Sequence, residues 1–272
     1  MIEFEGIEAI TGDFRGAFVT IGNFDGVHLS HQHICGKLAW EAKQAGRKSL
    51  VITFDPHPKM ILHPNIRPFY LITTRAEKMA RLAACGVDAV AVIHFDLAYS
   101  KTTAAEFVQG FLCKKLGVSK VIIGHDYVFG QARQGNDAYL IEQGRICGFS
   151  VEVIEAFKIN GEIVSSTLIR NYILAGDVKT AAKLMGRFYN VAGPVGSGAG
   201  RGEGLGFPTA NIEPEKELLP PPGIYAAFVM VDGSCYMGAL NLGAKPTFED
   251  YSSTFDVFPL DFPGHFGGRL LH

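Results

Sequence analysis

The sequence predicts an α/β domain with a parallel sheet, followed by a small antiparallel β domain. Through the first two-thirds of the chain, β-rich runs alternate with stretches of helical spacing. From Gly186 onward, turns rich in glycine and proline separate short β-rich runs. The length of 272 residues suits two modest domains. We place the boundary near residues 184–187, which gives domains of residues 1–184 and 185–272.

The first domain contains the alternating elements. Strands are predicted at Ala17–Phe24, Ser49–Phe54, Ala89–Phe95, Lys120–Ile123 and Ser150–Ala156. Helices are predicted at Ser30–Ala45, Thr74–Cys85, Thr103–Leu116 and Asn136–Cys147. In the first helix, Ile34, Leu38 and Ala42 recur every four residues and line one face. Helical connections imply parallel strands, and such sheets bind ligands at the carboxyl ends of their strands.

The pattern of the sequence changes from alternating strands and helices to short β-rich runs towards the second domain. A helical stretch is predicted over Ser166–Leu184, with a break at Gly176–Asp177. The β-rich runs that follow include Ile224–Val231 and Cys235–Leu240. Frequent turns with little helix predict an antiparallel barrel or sandwich.

Composition limits the partners and the compartment. A formal charge of −2 produces no field that attracts nucleic acid or anionic membranes, so neither is expected as a partner; self-association is left open. The N-terminal segment MIEFEGIEAI is acidic and lacks the apolar core of a signal peptide. No apolar run approaches the roughly 20 residues of a membrane helix. We therefore expect a cytoplasmic protein.

The five cysteines are dispersed along the chain and form no CxxC pair. This pattern predicts reduced thiols rather than a disulfide framework or a cysteine-based zinc site.

The strongest local motif is GNFDGVHLSH, at Gly22–His31. It begins where a predicted strand ends and leads into a predicted helix, whose first amides and dipole favour a phosphate. His28 and His31 are three residues apart, so both can face one anion and stabilise an α-phosphate in its five-coordinate transition state. Two alternatives remain: surface or capping histidines, and a zinc site that also uses His33 and Cys35. The spacing spreads those four side chains around the helix, which disfavours zinc.

Four segments, in this order, resemble those of bacterial FAD synthetases, members of the nucleotidyltransferase superfamily. GNFDGVHLSH resembles the family's GxFDGxHxGH. The others are FDPHP at Phe54–Pro58, GHDYVFG at Gly124–Gly130 and VSSTLIR at Val164–Arg170. The resemblance implies a Rossmann-like nucleotidyltransferase domain that transfers an adenylyl group from ATP to flavin mononucleotide (FMN), giving FAD and pyrophosphate.

The same resemblance implies roles for the matching residues. His28 and His31 are the catalytic residues that stabilise the ATP phosphates. The other ATP- and phosphate-binding residues are Asn23, Asp25, Ser165, Ser166, Thr167 and Arg170, and the flavin-binding residues are His57 and Asp126. Serine and threonine suit a helix start, and the arginine fork suits phosphate.

Ser30 departs from the family pattern, which has glycine between the two histidines. Its side chain would stand where the nucleotide approaches the backbone, which weakens adenylyl transfer unless the site tolerates it. Alternatively, Ser30 caps the helix.

The second domain carries a glycine-rich run, GSGAGRGEGLGFPTANI, at Gly196–Ile212. No register of it reads GxGxxG, and no Walker A sequence occurs, so a plain loop is one interpretation. However, GLGFPTAN resembles the GxxFPTAN signature of riboflavin kinases, which are small antiparallel β-barrels. PPGIY at Pro221–Tyr225 and NLGAKPTF at Asn241–Phe248 also match. This likeness implies that Gly198, Gly200 and Gly202 wrap the ATP phosphates and that Thr209 and Asn211 are ligands of Mg²⁺.

A riboflavin kinase also needs a base for the 5′-hydroxyl of riboflavin. The family's segment TxEVxxLDF resembles TFDVFPLDF here and assigns that role to Asp256, one methylene shorter than the family's glutamate. The alternative is an ordinary acid at a strand edge. The family pattern continues past LDFPGHFGGRLLH with a strand and a helix, so we expect a domain shortened at its C-terminus, with an exposed sheet edge.

Two other functions compete with a bifunctional enzyme that uses ATP, FMN, riboflavin and Mg²⁺. One is adenylyl transfer to a different acceptor, such as pantetheine phosphate, which the GxxFPTAN segment disfavours. The other is a flavin- or nucleotide-binding protein that has lost one or both activities, favoured by Ser30, Asp256 and the short C-terminus. Tight FMN binding without turnover would support this alternative, and pyrophosphate release would refute it.

Overall fold

The computed structural model describes residues 1–65, 69–196, 209–244, 253–260, 262 and 270–271. Two compact units divide the chain: residues 1–69, 73–168 and 184–186 belong to the first, and residues 70–72, 169–183 and 187–272 belong to the second. Among the described residues, no helix combines the length and apolar character needed to cross a membrane.

A six-stranded parallel sheet forms the centre of the first unit, in the order β1-β4-β3-β2-β5-β6. Its strands are β1 (Ile2–Glu5), β2 (Phe18–Ile21), β3 (Ser49–Asp55), β4 (Ala89–His94), β5 (Lys120–Gly124) and β6 (Ser150–Ile154). The helices along the chain are α1 (Leu29–Gln44), α2 (Pro58–Leu62), α3 (Arg75–Ala84), a π-helix (Glu106–Leu116), α4 (Asp137–Cys147), α5 (Ser166–Leu174) and α6 (Val178–Met185). A short hairpin joins β7 (Lys158–Ile159) to β8 (Glu162–Ile163).

Both faces of this sheet are buried, because the side chains of β3 alternate between two apolar layers. Leu50 and Ile52 belong to one layer and Val51 to the other. Ile34, Leu38 and Ala42 are buried on α1, which confirms the predicted inner face. The central strands β2 and β3 are parallel neighbours, so their carboxyl ends meet at one edge of the sheet.

The second unit holds an antiparallel sheet, in the order β10-β13-β12-β11-β14-β9. Its strands are β9 (Gly193–Pro194), β10 (Ala210–Asn211), β11 (Gly223–Val231), β12 (Ser234–Ala244), β13 (Ser253–Pro259) and β14 (Leu270–Leu271). On β11, Val229 and Val231 are buried while Ile224 and Phe228 are exposed, so one face of the sheet packs on the core.

The prediction that the cysteines stay reduced is wrong for one pair. Cys113 on the π-helix forms a disulfide with Cys147 at the end of α4, and Cys35, Cys85 and Cys235 are free. The two helices lie side by side, with Gln109 Nε2 donating to Gln143 Oε1 at 3.1 Å. The cysteines are 34 residues apart in sequence, so their spacing gave no sign that packing brings them together.

The disulfide predicts how many thiols the unfolded protein shows. Titration with Ellman's reagent in denaturant, without reductant, should count the three thiols of Cys35, Cys85 and Cys235. Prior reduction should raise the count to the five cysteines of the sequence. Five thiols before reduction would contradict the disulfide.

Candidate active sites

A strained turn connects β2 to α1 and carries the predicted phosphate-binding motif. Phe24 has φ 49° and Val27 has φ 37°, a left-handed conformation that is costly for residues with a β-carbon. Both side chains are almost fully buried in the apolar layer that also holds Ile34 and Leu38. Burial of these two side chains therefore offsets the backbone strain and fixes the course of the turn.

Asp25 and Thr73 clamp this turn from inside the protein. The hydroxyl of Thr73 accepts a hydrogen bond from the amide of Gly26 at 3.0 Å and donates to Asp25 Oδ1 at 3.4 Å. The amide of Thr73 donates to the same carboxylate oxygen at 3.3 Å. The Asp25 backbone oxygen in turn accepts from Ser166 Oγ at 2.8 Å, which ties the turn to the first residue of α5.

The clamp predicts a stability effect. In Thr73→Val, the amide of Gly26 loses its acceptor and Asp25 loses a donor inside the protein, so the free energy of unfolding should fall by about 1–3 kcal/mol. Thermal denaturation followed by circular dichroism measures this change. Thr102→Val is the control, because Thr102 is half-buried and its hydroxyl has no hydrogen bond within the described part of the chain. Equal melting temperatures for the two variants would contradict the clamp.

The structure brings His28 and His31 together at the N-terminus of α1. Their rings stack with centroids 3.6 Å apart, and His28 Nδ1 accepts from the amide of His31 at 3.4 Å. His28 is thus the N-cap of α1, a role that the sequence had offered to Ser30. Ser30 lies in the first helical turn, between the two histidines.

His31 has the electrostatics of a ligand-facing side chain. Burial lowers its pKa well below the usual range, and the nearby positive charges of His28 and Lys78 lower the pKa further. Its Nδ1 atom is buried and has no hydrogen-bond partner among the described residues. A buried polar atom of this kind calls for a partner, and an anion bound at the helix start would supply one.

The other two residues of the zinc alternative, His33 and Cys35, each contact apolar side chains. The ring of His33 packs against Phe157, with centroids 5.8 Å apart. Cys35 is buried in the apolar layer beside Leu38.

The second predicted segment follows β3. His57 is the buried N-cap of α2, and its Nδ1 accepts from the amide of Lys59 at 3.1 Å. Its ring lies 4.7 Å from that of Phe69. Asp126 lies in the loop after β5, where its side chain is exposed.

The serine-rich segment forms the start of α5. Ser165 Oγ accepts from the amide of Leu168 at 3.3 Å, as an N-cap does. Thr167 is exposed in the first turn, and Arg170 follows one turn later on the same helix. The Ser166 contact to Asp25 therefore joins the start of α5 to the turn that precedes α1.

In the second unit, the structure brings two predicted residues into contact. Asn211 on β10 and Asp256 on β13 are direct partners in the antiparallel ladder, and Asn211 Nδ2 donates to Asp256 Oδ1 at 3.0 Å. Thr209 directly precedes β10. Gly198, Gly200 and Gly202 lie outside the described residues.

Sequence reasoning missed three residues that support the first site through hydrogen bonds but lie outside its motifs: Thr53, Thr73 and Lys78. Thr53 Oγ1 donates to the backbone oxygen of Asn23 at 3.1 Å. One signal was available nearby: Thr74 and Glu77 form a capping box at the start of α3, and the pattern T-x-x-E predicts such a box. It would have marked the helix start but not the contacts of Thr73.

Comparisons with known proteins agree on two regions of the chain. A family model described as FAD synthetase matches residues 11–168, and one described as riboflavin kinase matches residues 185–272. A bifunctional riboflavin kinase/FMN adenylyltransferase from Pseudomonas fluorescens is 36% identical over 267 residues, covering 98% of this chain and 85% of the relative. The protein of that name from Escherichia coli K12 is 32% identical, covering 94% of this chain and 82% of the relative.

A solved structure with the same overall fold is described as a macrolide-efflux protein from Streptococcus pneumoniae. It matches with a TM-score of 0.89 and 28% identity, covering 99% of this chain and 88% of the other.

Proposed function

The chain belongs to the family of bifunctional riboflavin kinase/FMN adenylyltransferases, and from that premise we propose how its residues carry out the two reactions. It is an enzyme of flavin cofactor biosynthesis that forms FMN from riboflavin and FAD from FMN, with ATP as co-substrate. The observation that carries the assignment of the first site is the stacked pair of His28 and His31, at a helix start within the FAD synthetase region. Since residues 185–272 match riboflavin kinase, nothing favours a pantetheine phosphate acceptor.

Adenylyl transfer uses positioning and charge stabilisation. An oxygen of the FMN phosphate attacks the α-phosphorus of ATP, a new P–O bond forms, and pyrophosphate leaves with the electrons of the broken bond. His28 and His31 stabilise the charge that builds up on the α-phosphate, as preorganised donors do. No covalent intermediate with the enzyme is needed.

The remaining predicted residues surround these groups. The leaving pyrophosphate binds at the start of α5, where Ser165, Ser166 and Thr167 precede Arg170. Asn23 and Asp25 shape the ATP side of the turn, and the contacts of Asp25 with Thr73 support a positioning role. His57 and Asp126 contribute to the flavin side.

The kinase reaction needs a base and a hard cation. Asp256 accepts the proton of the riboflavin 5′-hydroxyl as that oxygen attacks the γ-phosphorus, and ADP leaves. Mg²⁺ suits the oxygen donors of Thr209 and Asn211, and the contact between Asn211 and Asp256 supports a site that combines the cation with the base. When bound, the cation neutralises phosphate charge. Gly198, Gly200 and Gly202 wrap the ATP phosphates in this proposal.

We propose one domain for each reaction. The adenylyltransferase domain spans residues 1–184 and the kinase domain residues 185–272. Residues 169–183 belong to the second compact unit and residues 184–186 to the first, and the riboflavin kinase match, which begins at residue 185, supports the boundary proposed here. An isolated antiparallel bridge between Val195 and Ile212 supports closure of the second sheet into a barrel.

We also propose that the enzyme acts in the cytoplasm, because both reactions consume ATP, which the cytoplasm supplies.

Product analysis by chromatography tests the proposed function. The purified chain is incubated with ATP and Mg²⁺, and riboflavin and FMN are offered in separate reactions. Riboflavin should yield FMN, and FMN should yield FAD together with pyrophosphate. FMN that stays bound without conversion would instead indicate a binding protein.

A further inference from the structure

Lys78 lies on α3, directly after the capping box that begins this helix. Thr74 Oγ1 accepts from the amide of Glu77 at 3.2 Å, and Glu77 Oε2 accepts from the amide of Thr74 at 2.9 Å. Because both ends of the box are satisfied, the start of the helix is fixed, and so is the origin of the lysine side chain.

The ammonium group of Lys78 lies near the carboxyl end of β3, one of the two central strands. Its Nζ donates to the backbone oxygen of Phe54 at 3.1 Å and to Thr53 Oγ1 at 3.4 Å, both at the end of β3. Thr53 Oγ1 then donates to the backbone oxygen of Asn23, just past β2. Through Thr53, Lys78 is therefore linked to the turn that leads to the stacked histidines.

No carboxylate in the described part of the chain neutralises this cation directly. Burial, the largest influence, lowers the pKa of Lys78; the charges of Asp55 and Asp25 raise it, and the charge of Arg75 lowers it. Asp25 is hydrogen-bonded to Thr73, and Asp55 pairs with Arg75 at 3.7 Å. A half-buried ammonium without an ion pair leaves a positive charge that a ligand can balance.

The count of hydrogen-bond donors on Lys78 also indicates that its ammonium can bind a ligand. An ammonium has three N–H groups, and the described acceptors, Phe54 and Thr53, account for two of them. The charge of Lys78 reaches His31, where it contributes to the lowered pKa. The Nδ1 atom of His31 also has no partner among the described residues. Two neighbouring groups therefore have hydrogen-bonding capacity left, at the sheet edge where α/β sheets bind ligands.

We propose that Lys78 is a further substrate-binding residue of the adenylyl-transfer site, whose ammonium binds a phosphate oxygen of ATP or of FMN. This inference rests on the proposed function of the first unit. Its chemistry is a charge-assisted hydrogen bond to phosphate, and loss of such a bond weakens binding by about 10- to 100-fold.

The first test is kinetic and uses the full-length enzyme. Lys78→Met removes the charge and keeps the length of the side chain. The control, Lys43→Met, removes an exposed lysine near the C-terminal end of α1, far along the helix from His28 and His31. With Lys78→Met, kcat/KM for FAD formation should fall about 10- to 100-fold, and FMN formation from riboflavin should stay unchanged as an internal control of folding. Lys43→Met should resemble the wild type. Unchanged FAD formation by Lys78→Met would overturn the inference, whereas a wild type that forms no FAD would overturn the proposed function instead.

Two further variants separate the charge from a merely structural role. Lys78→Arg keeps the charge and should retain more activity than Lys78→Met. Thr53→Val removes the hydrogen bonds through Thr53 but leaves the ammonium in place. If Thr53→Val loses as much FAD formation as Lys78→Met, the lysine acts by bracing the strands, and the inference fails.

A measurement on the unmodified enzyme remains informative if Lys78→Met does not fold. Reductive methylation followed by mass spectrometry reports the reactivity of each lysine separately. Pyrophosphate, α,β-methylene-ATP and FMN are added one at a time, with Lys43 as the internal reference. Protection of Lys78 by pyrophosphate or the ATP analogue assigns the contact to ATP, and protection by FMN alone assigns it to the flavin phosphate. Equal reactivity of Lys78 with and without all three would overturn the inference.

Discussion

Replacing His31 with alanine is expected to lower the rate of FAD formation by about 10²- to 10³-fold, the usual cost of removing one preorganised group that stabilises transition-state charge. His31 is expected to be this sensitive because its Nδ1 is buried without a partner among the described residues and its ring stacks on His28. Pyrophosphate release from FMN and ATP, measured with a coupled assay, gives the rate.

The same loss is expected for His28, but its variant needs more care. His28 also caps α1, and an alanine there would cost about 1 kcal/mol of stability besides the catalytic effect. His28→Asn keeps a capping oxygen and removes the imidazole, so it isolates the catalytic role. His33→Ala is the matched control on the same helix. Comparable losses in His33→Ala and His31→Ala would contradict the assignment of the stacked pair.

The second large effect is expected in the other domain. Asp256→Asn should lower FMN formation from riboflavin by about 10²- to 10⁴-fold, because an amide cannot accept the proton of the 5′-hydroxyl. FAD formation from added FMN should be unaffected, since it uses the first domain. Asp232→Asn, at the exposed turn between β11 and β12, removes a carboxylate from the same domain and should leave both rates unchanged.

Asp256→Glu adds a distinguishing result. The longer side chain restores the residue type of the family pattern, so a base role predicts that this variant stays active. Activity in Asp256→Asn equal to that of the wild type would show that Asp256 is an ordinary strand acid.

The sequence predicted the parallel sheet because its strands are apolar runs separated by helices. It did not predict β1, whose four residues, Ile2–Glu5, include two glutamates and leave one residue buried. An edge strand with so little burial gives almost no hydrophobic pattern. The antiparallel second domain was predicted from its turns, which are local features of the chain.

The candidate residues of the sites could be found where motifs carry them, as with His28, His31, Asn211 and Asp256. The residues that support these motifs from distant positions in the chain could not be found in this way. Thr73 bonds to Gly26 across 47 positions, and Lys78 meets Thr53 across 25. Single threonines and lysines are too common in sequences to indicate such contacts, so only the folded arrangement shows them.

The hydroxyl of Thr73 limits which amino acids can replace this residue during evolution. One oxygen there both accepts from the amide of Gly26 and donates to the carboxylate of Asp25. Among small side chains, only threonine and serine can do both. We therefore expect position 73 to favour these two residues, even though it belongs to neither nucleotide-binding motif. A survey of viable variants should find other residues depleted at this position, for a reason that lies in the turn rather than in the reaction.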